Sequence, residues 1–314
     1  MLIHLTESGE SSESGESFHL PRSTFHLPPS TNHFTLKKLN PIDGEIFYID
    51  KPLKWTSFEV VKKVRARLRK RLDIKSLRVG HAGTLDPLAT GVLTICTGRA
   101  TKLIEQLQAG VKEYIAHIRL GETTPSFDLE TQVDATYPWQ HITREMVEQT
   151  LQQQFTGTIK QVPPAFSACK IDGKPAYKLA RKGKQVEIRA KTLVIDEIEL
   201  LECNLPQEPT IVIRVVCSKG TYIRALARDI GEALGSGAHL TALRRTRVGE
   251  ITVDQCESVD ALLERLETED MVSPDRAEQE RLERERELNR ARARELKAQR
   301  EAQRRAKLAR QSQI

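Results

Sequence analysis

Residues Gly80-His81-Ala82-Gly83-Thr84-Leu85-Asp86-Pro87-Leu88-Ala89-Thr90-Gly91 form a glycine-punctuated loop that presents one acid just before a proline and ends where an apolar strand begins. Gly80, Gly83 and Gly91 admit backbone angles closed to other residues and let another group come close. Pro87 fixes its own φ and restricts Asp86 to extended geometry, so any fold built around this loop holds the carboxylate in place. Taken alone, Asp followed by Pro commonly starts only a turn. The loop gains meaning from its surroundings.

A strand is expected over residues 45–50, and Thr56 with Glu59 forms a capping box ahead of a helix over 57–72. Val60 or Val61, Val64, Leu68 and Leu72 recur at helical spacing and should pack inward. Lys62, Lys63, Arg65, Arg67, Arg69, Lys70 and Arg71 crowd the rest of that helix, a density of cations suited to phosphate contact. From Lys112 to Leu120 the residues alternate, which places Tyr114, Ala116, Ile118 and Leu120 on one face of a strand. Ile211, Ile213, Val215 and Cys217 alternate likewise, and Thr221 is a candidate cap for a helix whose inward stripe is Ile223, Leu226, Ala227, Ile230 and Leu234. Strands outnumber helices without regular βαβ order, so the expected class is α+β with a mixed, largely antiparallel sheet.

Both ends differ from this middle. Residues 1–39 are polar, Pro-rich and carry a doubled Phe-His-Leu-Pro unit, a composition that favours disorder. Residues 40–267 read as one packed domain, and 268–314 as a charged tail in which Arg276 to Arg310 lacks Gly and Pro and favours helix. From Arg290 to Arg310 nine Lys or Arg face two Glu, so that half suits phosphate binding.

A formal charge of +6 favours a polyanionic partner without distinguishing RNA, DNA or an acidic membrane. The five cysteines are odd in number and widely spaced, as in a reduced protein of the cytoplasm. Four of the eight histidines lie in the first 33 residues, and no CxxC or HExxH occurs, so no metal site is expected. No membrane-length apolar run, signal-peptide pattern or GxxxxGK[ST] loop is present.

Six motifs follow in one order: Lys51-Pro52, the Gly80 to Gly91 loop, Lys112-Glu113-Tyr114 with Leu120-Gly121, Gln161 to Ala168, Ser218-Lys219-Gly220-Thr221-Tyr222-Ile223-Arg224, and Leu243-Arg244-Arg245-Thr246. Over residues 40–265 the chain thereby resembles the TruB family of tRNA pseudouridine synthases. The resemblance implies the pseudouridine synthase fold, with helices flanking a sheet around a central cleft. It implies isomerisation of a uridine in the TΨC arm of tRNA, position 55, by base flipping and rejoining of the base through carbon 5, with no cofactor. It assigns catalysis to Asp86, with Arg224 as its cationic partner and Tyr114 stacking on the base. His81, Tyr222, Leu243 and Lys51 fall on its substrate-binding or loop-supporting positions. Many bacterial members continue into a small RNA-binding PUA domain, whereas this chain runs from Asp260-Ala261-Leu262-Leu263 into the charged tail and looks like a form lacking it. The segment Thr123 to Asp128 departs from the Thr-Asp-Thr of many relatives but keeps Asp128, and its loop is expected to stay in contact with the core. A monomer acting on one tRNA arm is the expected state, and a non-catalytic RNA binder is the rival that Asp86 argues against.

Overall fold

Helix α1 (Ser57–Arg71) starts where Thr56 accepts from the Glu59 amide and the Glu59 carboxylate accepts from the Thr56 amide, satisfying two donors that the first turn leaves open. Val60, Val61, Val64 and Leu68 are buried, and Lys62, Lys63, Arg69 and Lys70 face outward. The computed structural model describes residues 38–167, 169–171, 174–176 and 188–311. The polar stretch before Lys38, with its doubled Phe-His-Leu-Pro unit, lies outside the described residues. Backbone pairing already includes Leu39, the last residue of the stretch whose composition favours disorder: its amide donates to Asp270 O at 2.9 Å and the Val272 amide donates to Leu39 O at 2.8 Å. That pairing joins distant segments, which local periodicity does not register.

Ten strands make one mixed sheet. In chain order they are β1 (Ile46–Lys51), β2 (Val79–Ala82), β3 (Ala89–Thr97), β4 (Lys112–Leu120) and β5 (Gly157–Gln161). Then come β6 (Lys191–Cys203), β7 (Thr210–Cys217), β8 (Ala238–Val248), β9 (Ile251–Thr252) and β10 (Glu257–Ser258). Their spatial order is β10-β1-β3-β8-β4-β7-β6-β5, with β2 beside β3 and β9 beside β8. Two pairs, β1 with β10 and β3 with β8, are parallel, and the remaining pairs are antiparallel. The other α-helices among the described residues are α2 (Ile104–Leu107), α3 (Arg144–Gln154), α4 (Ile223–Ala233), α5 (Val259–Thr268) and α6 (Arg276–Gln311).

Two apolar cores result. In one, α3 and α4 pack on the central strands through Val147, Leu151, Leu226 and Ile230 against Tyr114, Ala116, Ile118 and Ile213. In the other, α1 and α5 close over β1 and β3 through Val64, Leu68, Leu262 and Leu266 against Ile49, Leu93 and Ile95. Tyr114, Ala116, Ile118 and Leu120 share the buried face of β4, as their alternation requires. On β7, between β4 and β6, Val212 and Val216 are buried as well as the alternating set, while Arg214 between them on the same face is half-buried and paired with Glu113 and Glu197. Thr221 does not cap α4: its hydroxyl donates to Ser218 O at 3.0 Å, and Tyr222 holds the N-cap position without a side-chain cap bond. The helix begins one residue later than expected, at Ile223, so Thr221 falls before the N-cap position. Among the described residues no helix is long and apolar enough to cross a membrane, and no His, Cys, Asp and Glu cluster suits a metal ion.

Candidate active site

The Asp86 loop is gripped from three sides before it enters β3. From α1, the buried Ser57 hydroxyl accepts from the Leu85 amide at 2.9 Å and lies 3.0 Å from the Leu85 carbonyl, to which it donates. The Lys54 amide donates to Pro87 O at 2.8 Å. From β8, Arg245 donates to Gly83 O at 3.1 Å and to Val92 O at 2.8 Å, tying the approach of the loop to its exit. Gly91 is obligatory there, because its φ is +104° and an added Cβ would sit 2.1 Å from Arg245 O.

Lys51 serves this scaffold from behind. It is fully buried and donates to Pro52 O at 2.9 Å and Trp55 O at 2.6 Å, fixing the turn that carries Lys54 and Ser57. Burial lowers its ammonium to about 8, with the Asp86 carboxylate opposing that shift. It is not among the residues lining the cavity, so its grouping with the substrate-binding side chains gives way to a supporting role.

Asp86 and Arg224 are 138 positions apart in sequence and meet as an ion pair, Nε to Oδ2 at 2.9 Å. The pair lacks the alignment of a good hydrogen bond, so the guanidinium supplies charge while the carboxylate keeps lone pairs for another group. The other guanidinium nitrogens are fixed by Ser126 O and Phe166 O, each at 3.0 Å. A second carboxylate, that of buried Asp128, lies 3.6 Å from the same Nε. Asp128 is held in its loop by its carboxylate accepting a hydrogen bond from the Glu130 amide at 2.9 Å, and Leu240 N donates to Phe127 O at 3.0 Å, so this segment keeps the core contact expected of it. The Asp86 side chain is 40 % exposed to the cavity, yet the walls displace enough water that burial raises its carboxyl above the ordinary aspartate range. Arg224 opposes that rise, and Asp128 adds to it.

A cavity of about 570 Å³ opens over this pair, within the ~300–1,000 Å³ usual for ligand sites. Tyr114, Tyr222, Leu243 and His81 line it with Asp86 and Arg224, so six of the seven residues singled out in the sequence converge here. Strand register explains part of this: Leu243 of β8 lies beside Ala89, three residues after Asp86, and Arg245 lies opposite Tyr114. Burial raises the Tyr114 phenol above its usual range, with Arg245 opposing. Burial likewise raises Tyr222, whose backbone is pinned by buried Gln161 through bonds of 2.9 and 3.2 Å. Burial first, and Arg245 second, lower the His81 imidazolium, leaving the ring neutral near pH 7. Ser57, Asp128 and Arg245 were not singled out in the sequence as site residues; each acts through partners 28, 96 and 162 positions away, beyond the reach of any local period.

The mixed sheet with flanking helices, and one loop-borne aspartate paired with an arginine at the base of an aromatic-lined cavity, define a pseudouridine synthase fold. Solved structures share it. A Cbf5-Nop10-Gar1 complex aligns with a TM-score of 0.52 and 30% identity, over 72% of this chain and 55% of that one. An H/ACA RNP bound to a substrate RNA containing 2'-deoxyuridine aligns with a TM-score of 0.50 and 29% identity, over 71% and 54%. The chain thus spans little more than half the length of these structural relatives.

The chain belongs to the TruB family of pseudouridylate synthases: the family's N-terminal domain matches residues 69–223, and the tRNA pseudouridylate synthase B C-terminal domain matches 224–283. It is 65% identical over 233 residues to the tRNA pseudouridine synthase B of Phocaeicola vulgatus, covering 74% of this chain and 97% of the relative. With the tRNA pseudouridine synthase B of Mycobacterium bovis it shares 49% over 221 residues, 70% of this chain and 72% of the relative.

Proposed function

We propose that this enzyme converts a uridine in the TΨC arm of tRNA, position 55, to pseudouridine, with Asp86 as the one catalytic carboxylate. The supporting observation is the Asp86–Arg224 pair at 2.9 Å facing a cavity walled by Tyr114, Tyr222 and Leu243. High identity to proteins named tRNA pseudouridine synthase B supports tRNA as substrate, and the uridine analogue in a related RNP supports a pocket for that base.

The target uridine leaves its stack at a cost of a few kcal/mol. Stacking on Tyr114 returns roughly 1–3 kcal/mol, so one aromatic wall is of the right size to offset the flip. Asp86, ionised and held by Arg224, meets the ribose and uracil as nucleophile or base while the bond between C1′ and N1 breaks. Leu243 and Tyr222 retain the detached uracil as it turns. A bond forms from C1′ to C5, the proton leaves C5, and N1 gains one, so the reaction balances without redox change or cofactor. His81 contacts the RNA beside the everted nucleotide. The enzyme acts as a monomer in the cytoplasm, a setting that suits its five unpaired cysteines.

The test is incubation of an unmodified tRNA transcript with wild type and with Asp86→Asn, followed by mapping of pseudouridine along the strand. Conversion at position 55 by the wild type alone is expected. Conversion elsewhere, or equal conversion by the variant, would refute the assignment.

A further inference from the structure

The rim of the cavity includes the first turn of α1, where Thr56, Ser57 and Phe58 line the same space as Asp86. Ser57 points into the protein and holds Leu85, but Phe58 is 51% exposed. Scattered exposed apolar side chains are ordinary. Phe58 differs in its position and company. The Lys62 ammonium lies 5.1 Å from its ring centroid and the Arg65 guanidinium 6.0 Å. Phe58, Lys62, Arg65 and Arg69 are spaced by four, three and four residues, which puts them on one stripe of the helix. That stripe is opposite in character to the buried Val60, Val64 and Leu68. At 1.5 Å per residue it runs roughly 16 Å from the cavity rim, enough for a few nucleotides. Arg65 is partly committed to Val79 O, at 2.7 Å, and Arg69 to Ile74 O, at 3.4 Å, so within the stripe Lys62 is the cation nearest Phe58, with its charge turned to the ring.

We infer that Phe58 is a stacking platform for a base flanking the everted uridine, and that the α1 stripe beginning at Lys62 carries the phosphates of that strand. The occupant is RNA, because an aromatic face followed by regularly placed cations matches alternating base and phosphate along a single strand. A base stacked on Phe58 brings its own phosphate beside Lys62. The platform lies outside the Asp86–Arg224–Tyr114 group, which leaves those residues to the chemistry. This inference rests on reading the cavity as a uridine pocket.

The experiment compares Phe58→Ala, Phe58→Leu and Phe58→Trp in two arms: single-turnover pseudouridine formation on an unmodified tRNA transcript, and binding of that transcript by fluorescence anisotropy in an Asp86→Asn background. Removing the ring should raise the half-saturating RNA concentration and the Kd about tenfold, within the range for one base stack, with a smaller change in maximal rate. Phe58→Leu, apolar and of similar bulk but without a π face, should be as weak as Phe58→Ala, and Phe58→Trp should bind like wild type. Lys62→Gln should flatten the salt dependence of log Kd by roughly 0.7, the share of one single-strand phosphate. Because the side chain is half exposed, thermal melts of the three Phe58 variants should coincide with wild type. Wild-type affinity in Phe58→Ala or Phe58→Leu would overturn the platform. A wild type that forms no pseudouridine would overturn the uridine pocket instead, and the binding arm would still decide the role of Phe58.

Discussion

Arg224 Nε lies 2.9 Å from Asp86 Oδ2 and 3.6 Å from Asp128 Oδ2, so one buried guanidinium serves two carboxylates from two different loops. Its remaining nitrogens hold Ser126 O and Phe166 O, which makes the planar fork itself part of the design. A lysine offers one point charge and cannot reach both carbonyls and both acids. Arg224→Lys should fold with a lowered Tm, since each buried carbonyl left unpaired costs about 1–3 kcal/mol. Its single-turnover rate should fall roughly 100-fold or more, the usual scale for losing a preorganised charge at a reacting centre. A near wild-type rate in quenched single-turnover assays would remove Arg224 from the mechanism.

The raised carboxyl of Asp86 makes a prediction about stability against pH. A carboxyl whose folded pKa exceeds its unfolded value binds more protons in the native state. Its contribution to stability is full below the unfolded pKa, near the ordinary aspartate value, and is lost as pH rises through the folded one. As the pH rises through that value, the site takes on the cost of ionising a desolvated acid. Asp86→Asn should melt above wild type at pH 7, the gap closing as the pH falls through the raised folded value and gone by about 4, the ordinary aspartate value. The same variant should bind the tRNA transcript at least as tightly while forming no pseudouridine. A gap that stays constant or widens in acid would show that Asp86 titrates as a solvated carboxylate.

Local signals carried much of this fold. The capping box at Thr56 and Glu59 marked the start of α1, the spacing of Val60 or Val61, Val64, Leu68 and Leu72 gave its buried face, with both valines proving buried, and the alternation around Tyr114 gave the inner face of β4. Six motifs in order carried the family and most residues of the cavity. What escaped was long-range or competitive. Nothing local says that β3 and β8, more than a hundred residues apart, lie side by side in parallel, although that pairing brings Leu243 to the Asp86 loop. Arg245 looks like a surface cation in a strand until its nitrogens are seen on Gly83 O and Val92 O. Thr221 had the right identity for a cap, but the helix starts one residue further on, with Tyr222 at the N-cap, so a boundary set by tertiary packing overrode the local signal.

Ser57 is the shortest link between α1 and the Asp86 loop. Ser57→Ala removes both of its bonds to Leu85 and leaves a buried amide without its acceptor, a loss of about 1–3 kcal/mol. The residue adjoining Leu85 is Asp86, so slack at this point moves the carboxylate that we propose acts at the ribose. The variant should lose kcat about tenfold with little change in KM, because misplacement of a reacting group acts on the chemical step. A change confined to Tm, with kcat intact, would reduce Ser57 to a structural residue.

The long helix α6 divides by charge. Between residues 276 and 289 five Glu outnumber four Arg, and Glu283 and Glu285 pair with Lys75 and Arg78 while Leu282 packs against the α1 core. From Arg290 to Arg310 nine cations face two Glu. The first half therefore docks, and we propose that the second reaches for RNA phosphates away from the cavity. Ending the chain after Asn289 spares the docking half, so Tm should hold. Each phosphate that the shortened protein no longer neutralises should take roughly 0.7–0.9 from the slope of log Kd against log salt, and a helix with nine cations should neutralise at least about two. The truncated enzyme should accordingly bind tRNA more weakly at low salt and converge on the full chain as salt rises. Parallel lines for the two proteins across a salt titration would assign the basic half of α6 to something other than RNA.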